Sequence, residues 1–382
     1  MKFSCLKDNL QYALACTSHL ATKNLNLPIL NNVLLKAEET SIQLTTTNLE
    51  IAIHCTLRGK IEEKGEITLP SKLFSDYTNL LPNEKVDLTV LEDTACITCG
   101  KDQTKIKGMP ASDFPLIPSI IIEKTFRIPI KNFREAISRV LFSAAPQEAR
   151  PTLSGIFFKF FKTRENSQGT LILVATDSYR LAEFTLEFPP ASPEEEIDQQ
   201  VIVPAKTMTE VYRILSLLRE DIETEEFLTI HFSQNQIIFL CGSVEIISRT
   251  IEGNYPDYQQ IIPNQFQTTV ILDQNDFKKA VKTASLFSKY QLFDISLFFD
   301  PKQETLSVKA TDTTKGENMT HCIGEFQGKE NTIVLNFHYL LDGLNALLED
   351  KMILQMIDEA SPCLLTPFEH TNYRYVIMPI RQ

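Results

Sequence analysis

The sequence predicts an α+β protein built from three similar units in tandem, and two observations carry that prediction. Three segments open alike: each has a short β-prone run, then Asn or Asp, then an apolar residue and a helical pattern. Each then repeats the same later landmarks, a strand ending in Thr-Asn or Thr-Asp and a β-branched run that leads into a second helix. The openings are spaced by 123 residues from Leu10 to Phe133 and by 144 from Phe133 to Phe277. That period is too long for a solenoid and suits pseudo-symmetric domains side by side.

The openings are Met1-Lys2-Phe3 leading to Asn9-Leu10, Phe126-Arg127-Ile128 leading to Asn132-Phe133, and Val270-Ile271-Leu272 leading to Asp276-Phe277. Asn9, Asn132 and Asp276 are expected to cap the first helix of each unit, their side chains accepting from free N–H groups of the first turn. Apolar residues follow at helical spacing, as in Phe133, Ile137, Val140 and Leu141, or Phe277, Val281 and Ala284. The Thr-ended strands are Leu44–Thr47 before Asn48, Leu173–Thr176 before Asp177, and Val308–Thr311 before Asp312. The second helices follow Pro70, Pro204 and Asn336; Pro is tolerated there because its missing N–H would be unpaired anyway. Their apolar stripes are read as Tyr77, Leu80, Leu81; Val211, Leu215, Leu218; and Leu340, Leu344, Leu347, Leu348. The expected domains are 1–122, 123–264 and 265–382, each a β-α-β-β-β-α-β-β unit with its helices on one face of a mostly antiparallel sheet.

At 43% hydrophobic and 23% charged, the 382 residues have the composition of an ordinary soluble protein. Lys7 and Asp8 interrupt the apolar stretch that a signal peptide needs, and no run approaches the ~20 apolar residues of a membrane span, so the expected location is the cytoplasm. Cys96 and Cys99 have metal-like spacing, but on a strand their thiols face apart and cannot share a zinc. The six histidines show no HxxxH or HExxH spacing, and no GxSxG, P-loop or GxGxxG run occurs. The acidic stretches Glu194-Glu195-Glu196 and Glu220–Glu226 read as solvated loops or helix ends rather than Mg²⁺ sites. These absences favour a binding role over catalysis, with a nucleotide-handling enzyme on a similar repeat as the alternative.

Six short motifs, in register with the repeat, then resemble the bacterial DNA polymerase III β subunit family of sliding clamps. They are Leu27-Pro28-Ile29-Leu30-Asn31-Asn32, Thr47-Asn48-Leu49-Glu50, Ala111-Ser112-Asp113-Phe114-Pro115, Val174–Ala182, Tyr255-Pro256-Asp257-Tyr258 and Tyr375–Arg381. The resemblance covers the whole chain. It implies three clamp domains with sheets outside and two helices per domain inside, and two chains closing head to tail into a dimeric ring around duplex DNA. It implies no catalysis and no cofactor or metal. The implied partners are double-stranded DNA held without sequence preference, a second copy of the chain, the polymerase III catalytic subunit, a clamp loader and other proteins with a clamp-binding motif.

By the same resemblance, a partner-peptide pocket is lined by Leu153, Thr176, Tyr179, Arg180, Leu181, Pro256, Ile261, Asn336, Tyr339, Val376, Met378, Pro379, Ile380 and Arg381. Ser178 stands where the family commonly has Gly, Tyr179 where it has His, and Gln260 where it has Arg, which bears on which peptides fit best. DNA contacts fall to Lys23, Asn24, Lys72, Gln147 and Arg150, with Asn24 where Arg is typical and Lys23 beside it as a substitute. Arg134, Arg139, Lys206, Arg213, Lys278, Lys279 and Lys282 are further inward candidates. The dimer interface is assigned to Thr104 and Ile106 from the first domain and Leu286 and Phe287 from the third, with Thr104 in place of the usual aromatic residue.

The formal charge of −12 argues at first against a nucleic-acid partner. The six helical windows nevertheless carry a net +5, which leaves −17 for the rest of the chain. That distribution opposes DNA on an outer surface and tolerates it beside the helices.

Overall fold

The computed structural model describes residues 1–21, 26–117, 121–146, 150–163, 165–192, 196–218 and 227–381. The first repeat runs β1 (Lys2–Leu6), α1 (Lys7–Thr17), β2 (Asn32–Ala37), β3 (Ile42–Thr47), β4 (Ile51–Leu57), β5 (Gly59–Glu63), β6 (Gly65–Pro70), α2 (Ser71–Leu80), β7 (Lys85–Leu91), β8 (Thr94–Cys99) and β9 (Asp102–Lys107). The second runs β10 (Lys124–Pro129), α3 (Ile130–Val140), β11 (Gly155–Lys162), β12 (Gly169–Thr176), β13 (Arg180–Phe188), β14 (Ile197–Pro204), α4 (Ala205–Leu217), β15 (Phe227–Ser233), β16 (Gln236–Cys241) and β17 (Val244–Arg249). The third runs β18 (Thr268–Asp273), α5 (Gln274–Ser285), β19 (Asp294–Asp300), β20 (Thr305–Asp312), β21 (Gly316–Gly328), β22 (Asn331–Asn336), α6 (Phe337–Ala346), β23 (Lys351–Met356), β24 (Cys363–Pro367) and β25 (Tyr373–Ile377). The repeat therefore holds more strands than expected from the sequence. Four strands separate the two helices in the second and third repeats, and three follow the second helix in every repeat.

Internal contacts gather the chain into two compact units, Met1–Ile130 with Thr209–Thr250, and Lys131–Met208 with Ile251–Gln382. The first unit holds a five-stranded sheet, β5-β1-β7-β8-β9, and an eight-stranded one, β10-β15-β16-β17-β4-β3-β2-β6. The second holds twelve strands in the order β14-β11-β12-β13-β25-β24-β23-β18-β21-β20-β19-β22. The middle repeat is thus shared out, because its last strand pairs with β4 and its β13 pairs with β25, both antiparallel. Within the first unit, Leu10, Ala13 and Leu14 of α1 are buried, and the helix packs on β4 and α2. Within the second, Phe133, Phe158, Phe160 and Phe188 pack ring against ring and are almost wholly buried. Each such side chain contributes roughly 1.5–3 kcal/mol on leaving water.

Two local expectations are corrected. The first helices begin at Lys7, Ile130 and Gln274, directly after the preceding strand, so Asn9, Asn132 and Asp276 all sit at the third helical position instead of at the cap. In α5 the capping side chain is Asp273, which accepts from the N–H of Asp276 at 2.9 Å. On α2 the buried face is Ser71, Phe74 and Thr78; Leu80 is 85% exposed, and with Leu73 and Tyr77 it forms an outward stripe. Cys96 and Cys99 do alternate across β8, one half-buried and one buried, and all eight cysteines are free thiols. Among the described residues no group of three His, Cys, Asp or Glu could hold a metal, and no helix is long and apolar enough to cross a membrane. The acidic run 220–226 and residues Glu194 and Glu195 lie outside the described residues.

Candidate functional site

The turn between β12 and β13, in the second unit, is built by two side chains of the Thr-Asp motif. Asp177 accepts from the N–H groups of Tyr179 and Arg180 at 2.9 and 3.0 Å through one carboxylate oxygen. Thr176 donates its hydroxyl to the Arg180 carbonyl at 2.6 Å and accepts from the Ser178 N–H at 3.1 Å. Ser178 takes a positive φ of 78° at the apex, a conformation easiest for Gly, which is the residue expected there by resemblance. The turn throws Tyr179 outward, 64% exposed and stacked on Tyr339 at 6.4 Å.

Arg180 turns the other way and is locked. Its Nε meets Asp177 at 3.1 Å, one Nη meets Asp342, and the other donates to the Phe142 carbonyl at 2.8 Å. The guanidinium lies over the rings of Tyr339 and Phe142, 4.6 and 5.5 Å from their centres. Burial opposes its charge, but Tyr375, Asp342 and Asp177 outweigh that and hold it above the usual arginine value. Burial also pushes the phenols of Tyr375 and Tyr339 upward, so both stay neutral hydrogen-bonding groups. The charge of Arg180 is spent on holding the turn to α6, which makes it a positioning group more than a free anchor.

The apolar body beside the turn forms because β13 and β25 pair with Leu181 opposite Val376. Leu181 and Val376 join Phe157, Val174, Ile202, Tyr258 and Leu364 in one buried cluster, against which Ile261 and Tyr255 pack half-buried. The segment after β25 is pinned at both ends: Met378 donates its N–H to the Tyr179 carbonyl at 2.9 Å and Ile380 to Val334 at 2.8 Å. Met378, Pro379 and Ile380 are left half-buried and Arg381 exposed. Asn336 caps α6 by accepting from the His338 N–H at 2.9 Å.

The fourteen expected pocket residues therefore divide by depth. Leu153, Thr176, Leu181 and Val376 are buried; Arg180, Ile261, Asn336, Tyr339, Met378, Pro379 and Ile380 are half-buried; Tyr179, Pro256 and Arg381 are exposed. Four supports escape the sequence reading: Asp342, the Phe142 carbonyl, Tyr375 and Gly343. Tyr375 donates its hydroxyl to the Tyr339 carbonyl at 2.8 Å, and a Cβ on Gly343 would lie 2.3 Å from the Tyr375 ring. Asp342 carries one sequence signal, since it stands at the repeat position held by Asp76 and Glu210.

The other expected sites fare unevenly. Lys72 and Arg150 are exposed, and Arg150 donates to the Ser178 hydroxyl at 3.3 Å. Lys23, Asn24 and Gln147 lie outside the described residues. Arg139 and Arg213 are withdrawn as inward cations. Arg139 is 3% exposed and bound to Glu349 and Glu135, at 3.1 and 2.8 Å, and lies over the rings of Phe184 and Tyr373. Arg213 donates to the Ala15 and Cys16 carbonyls, both at 2.7 Å, closing the C-terminal end of α1, and pairs with Glu210, which also meets His19 at 2.6 Å. Lys206, Lys279 and Lys282 are exposed, whereas Lys278 and Arg134 are half-buried. Thr104 and Ile106 lie on β9, the last strand of its sheet, with Ile106 only 4% exposed and so part of the core. Leu286, at the C-terminal cap of α5, is 68% exposed, and Phe287 is half-buried.

Comparison with known proteins agrees along the whole length. Profiles of the DNA polymerase III beta subunit match in order: the N-terminal domain over residues 1–118, the central domain over 127–257 and the C-terminal domain over 259–381. The beta sliding clamp of Synechococcus elongatus is 28% identical over 385 residues, covering 100% of this chain and 99% of the relative. That of Staphylococcus aureus is 28% identical over 393 residues with the same coverage. Among solved structures, the Pseudomonas aeruginosa sliding clamp bound to griselimycin superposes with a TM-score of 0.90 at 27% identity, covering 100% of both chains. The Bacillus subtilis clamp does so at 0.90 and 25% identity, covering 100% of this chain and 99% of that one. The three clamp domains in sequence, the shared fold and full-length similarity to named clamps make this chain a member of the DNA polymerase III beta subunit family, the bacterial sliding clamps.

Proposed function

We propose that the chain works without catalysis, as a processivity factor in the bacterial cytoplasm. Two copies close head to tail around duplex DNA, and the surface built on Tyr179, Met378 and Ile380 takes short peptides of the polymerase III catalytic subunit, the clamp loader and other partners. Lys72 and Arg150, with Lys23, Asn24 and Gln147, meet phosphates without reading sequence, so affinity for DNA is weak and falls with salt. The nucleotide-handling alternative finds no support among the relatives, which are clamps.

The internal repeat carries the ring reading. The last strand of one repeat pairs with the fourth strand of the repeat before it, β17 with β4 and β25 with β13. The third instance needs a second chain, and its two strands are free: β9 ends its sheet, and residues Gly316–Ile323 of β21 pair only with β20 among the described residues. The helices follow the same rule. His19 lies against Glu210 of α4, and the Phe142 carbonyl against Arg180, which is bound to Asp342 of α6. Leu286 is the repeat equivalent of His19 and Phe142, and the exposed stripe of α2 is the surface that it would meet in a second copy. A heterologous contact of this kind makes a ring when its rotation closes.

Loading onto nicked circular DNA tests the function. The protein should stay with the circle through gel filtration and be lost once the circle is linearised; retention on linear DNA overturns enclosure. Leu286→Asp with Phe287→Asp should give monomers in light scattering, and a persisting dimer removes those two residues from the contact.

A further inference from the structure

The first unit contains a cavity of about 440 Å³ that repeats the floor of the peptide surface one domain earlier. Ala52 pairs with Ile247 as Leu181 pairs with Val376. Ile117 packs half-buried on Ala52, Ile238 and Ile247 as Ile261 packs on the cluster that holds Leu181, Leu364 and Val376. The turn at its edge is also the same: Asn48 accepts from the N–H groups of Glu50 and Ile51, and the apex residue Leu49 has φ 77° against 78° at Ser178.

The side chains differ in a direction that opens the site. Ala52 replaces a leucine on the floor, and Phe114, which follows Asp113 as Tyr258 follows Asp257, packs on Ile29 and Leu30 instead of joining the floor. At the rim, Leu49 is 51% exposed and Leu116 is 96% exposed. A leucine held at positive φ is uncommon, and Leu49 and Leu116 together give the rim an apolar face. Arg249 stands exposed at the same edge with no ion pair among the described residues. Glu50, also exposed, lines the same rim and accepts the Arg249 backbone N–H at its carbonyl at 3.2 Å, and the apolar floor of Ala52, Ile117 and Ile247 carries no charge.

We propose that this cavity is a second docking site for a short extended peptide that presents two large apolar side chains and one carboxylate. The apolar side chains fill the space between Leu49, Leu116 and Ala52, and the carboxylate meets the Arg249 guanidinium, an arrangement that suits a charge-assisted bond. The proposal rests on the peptide reading of the second unit, whose strand register it shares.

The test is titration of the full-length protein with a fluorescein-labelled Gly-Leu-Asp-Leu-Phe-Gly amide, with stoichiometry from calorimetry. Two sites per chain are expected. Tyr179→Ala with Met378→Ala should remove one and leave the other. Leu116→Glu with Arg249→Glu, both at exposed positions, should weaken the remaining site tenfold or more. A single site abolished by the Tyr179 and Met378 changes, or a second site indifferent to the Leu116 and Arg249 changes, overturns this proposal and leaves the first pocket intact. Binding that the Tyr179 and Met378 changes do not touch overturns the reading of the second unit, and this proposal with it. A fall in mass on light scattering of the Leu116 and Arg249 variant assigns the face to a contact between copies and overturns the docking site.

Discussion

Arg180 shows how far single residues could be read in advance. The Thr-Asp motif beside it is visible in the sequence, and both side chains bond the local backbone as such residues do. Its counter-charge Asp342 is 162 positions away, and nothing local announces the pairing. The misplaced caps have a similar origin. Asn9, Asn132 and Asp276 precede the first apolar residue of each helical pattern, but the chain enters each helix straight from a strand, so the helix begins before its periodicity does. His54 on β4 is bonded to the Thr45 hydroxyl at 2.8 Å, and burial lowers its pKa below the usual 6.5. The folded state therefore favours the neutral ring, whereas the unfolded chain takes up a proton as the pH falls past about 6.5. The stability tied to His54 is complete above that value and is lost as the pH falls from there through the lower folded value. Urea midpoints for the protein and His54→Gln, taken from pH 8 to 5, should differ in slope on the acid side only. Parallel profiles would remove His54 as a cause; His231, also lowered by burial, acts in the same direction.

At the scale of elements, periodicity located the six helices and their amphipathic faces but not what covers each face. The inner stripes of α3 and α5 are buried as expected, with Phe133 and Phe277 wholly enclosed. The stripe read on α2 splits: Leu81 is buried, whereas Leu80 points outward and Tyr77 is half-buried, since Phe74 and Thr78 already fill the core side of the helix. An apolar stripe gives a direction, and only the fold decides whether the neighbour there is the chain itself or another molecule. The close approach of α6 to β25 was equally invisible, because it depends on a missing side chain. At Gly343 a Cβ would stand 2.3 Å from the Tyr375 ring, and that tyrosine holds the Tyr339 carbonyl at the edge of the candidate pocket. Gly343→Ala gains helix propensity of roughly 1 kcal/mol yet must push α6 off the sheet, an overpacking cost of about 1–3 kcal/mol. The expected outcome is a lower urea midpoint together with weaker peptide binding. A variant with unchanged midpoint and affinity would show that the helix and strand can part freely.

At the scale of the whole molecule, the threefold repeat was legible because it recurs in sequence, while the merging of sheets from neighbouring repeats was not, since it joins strands nearly two hundred residues apart. In the proposed ring, the same merging predicts the register of the contact between copies. Thr47 pairs with Ala52, Thr176 with Leu181 and Thr311 with Glu317, so Ala52, Leu181 and Glu317 are equivalent. The hairpins at Gly100 and Gly242 turn alike, from Cys99 to Asp102 and from Cys241 to Val244, so Lys105 corresponds to Ile247. Because Ile247 faces Ala52, Lys105 of one copy should face Glu317 of the next, and Thr104 should face Asn318. Opposite charges directly across antiparallel strands contribute roughly 0.2–1 kcal/mol, and like charges destabilise comparably. A two-membered ring has two such contacts, so Lys105→Glu should weaken the dimer by about 1–3 kcal/mol, roughly five- to 150-fold in Kd. Glu317→Lys alone should do the same. The double exchange should recover most of the loss; the shortfall comes from Lys309, which stands 3.4 Å from Glu317 on its own sheet. Sedimentation across a dilution series, at low and high salt, measures all four proteins. Additive losses in the double exchange would show that these two residues do not meet and that the ring closes in another register.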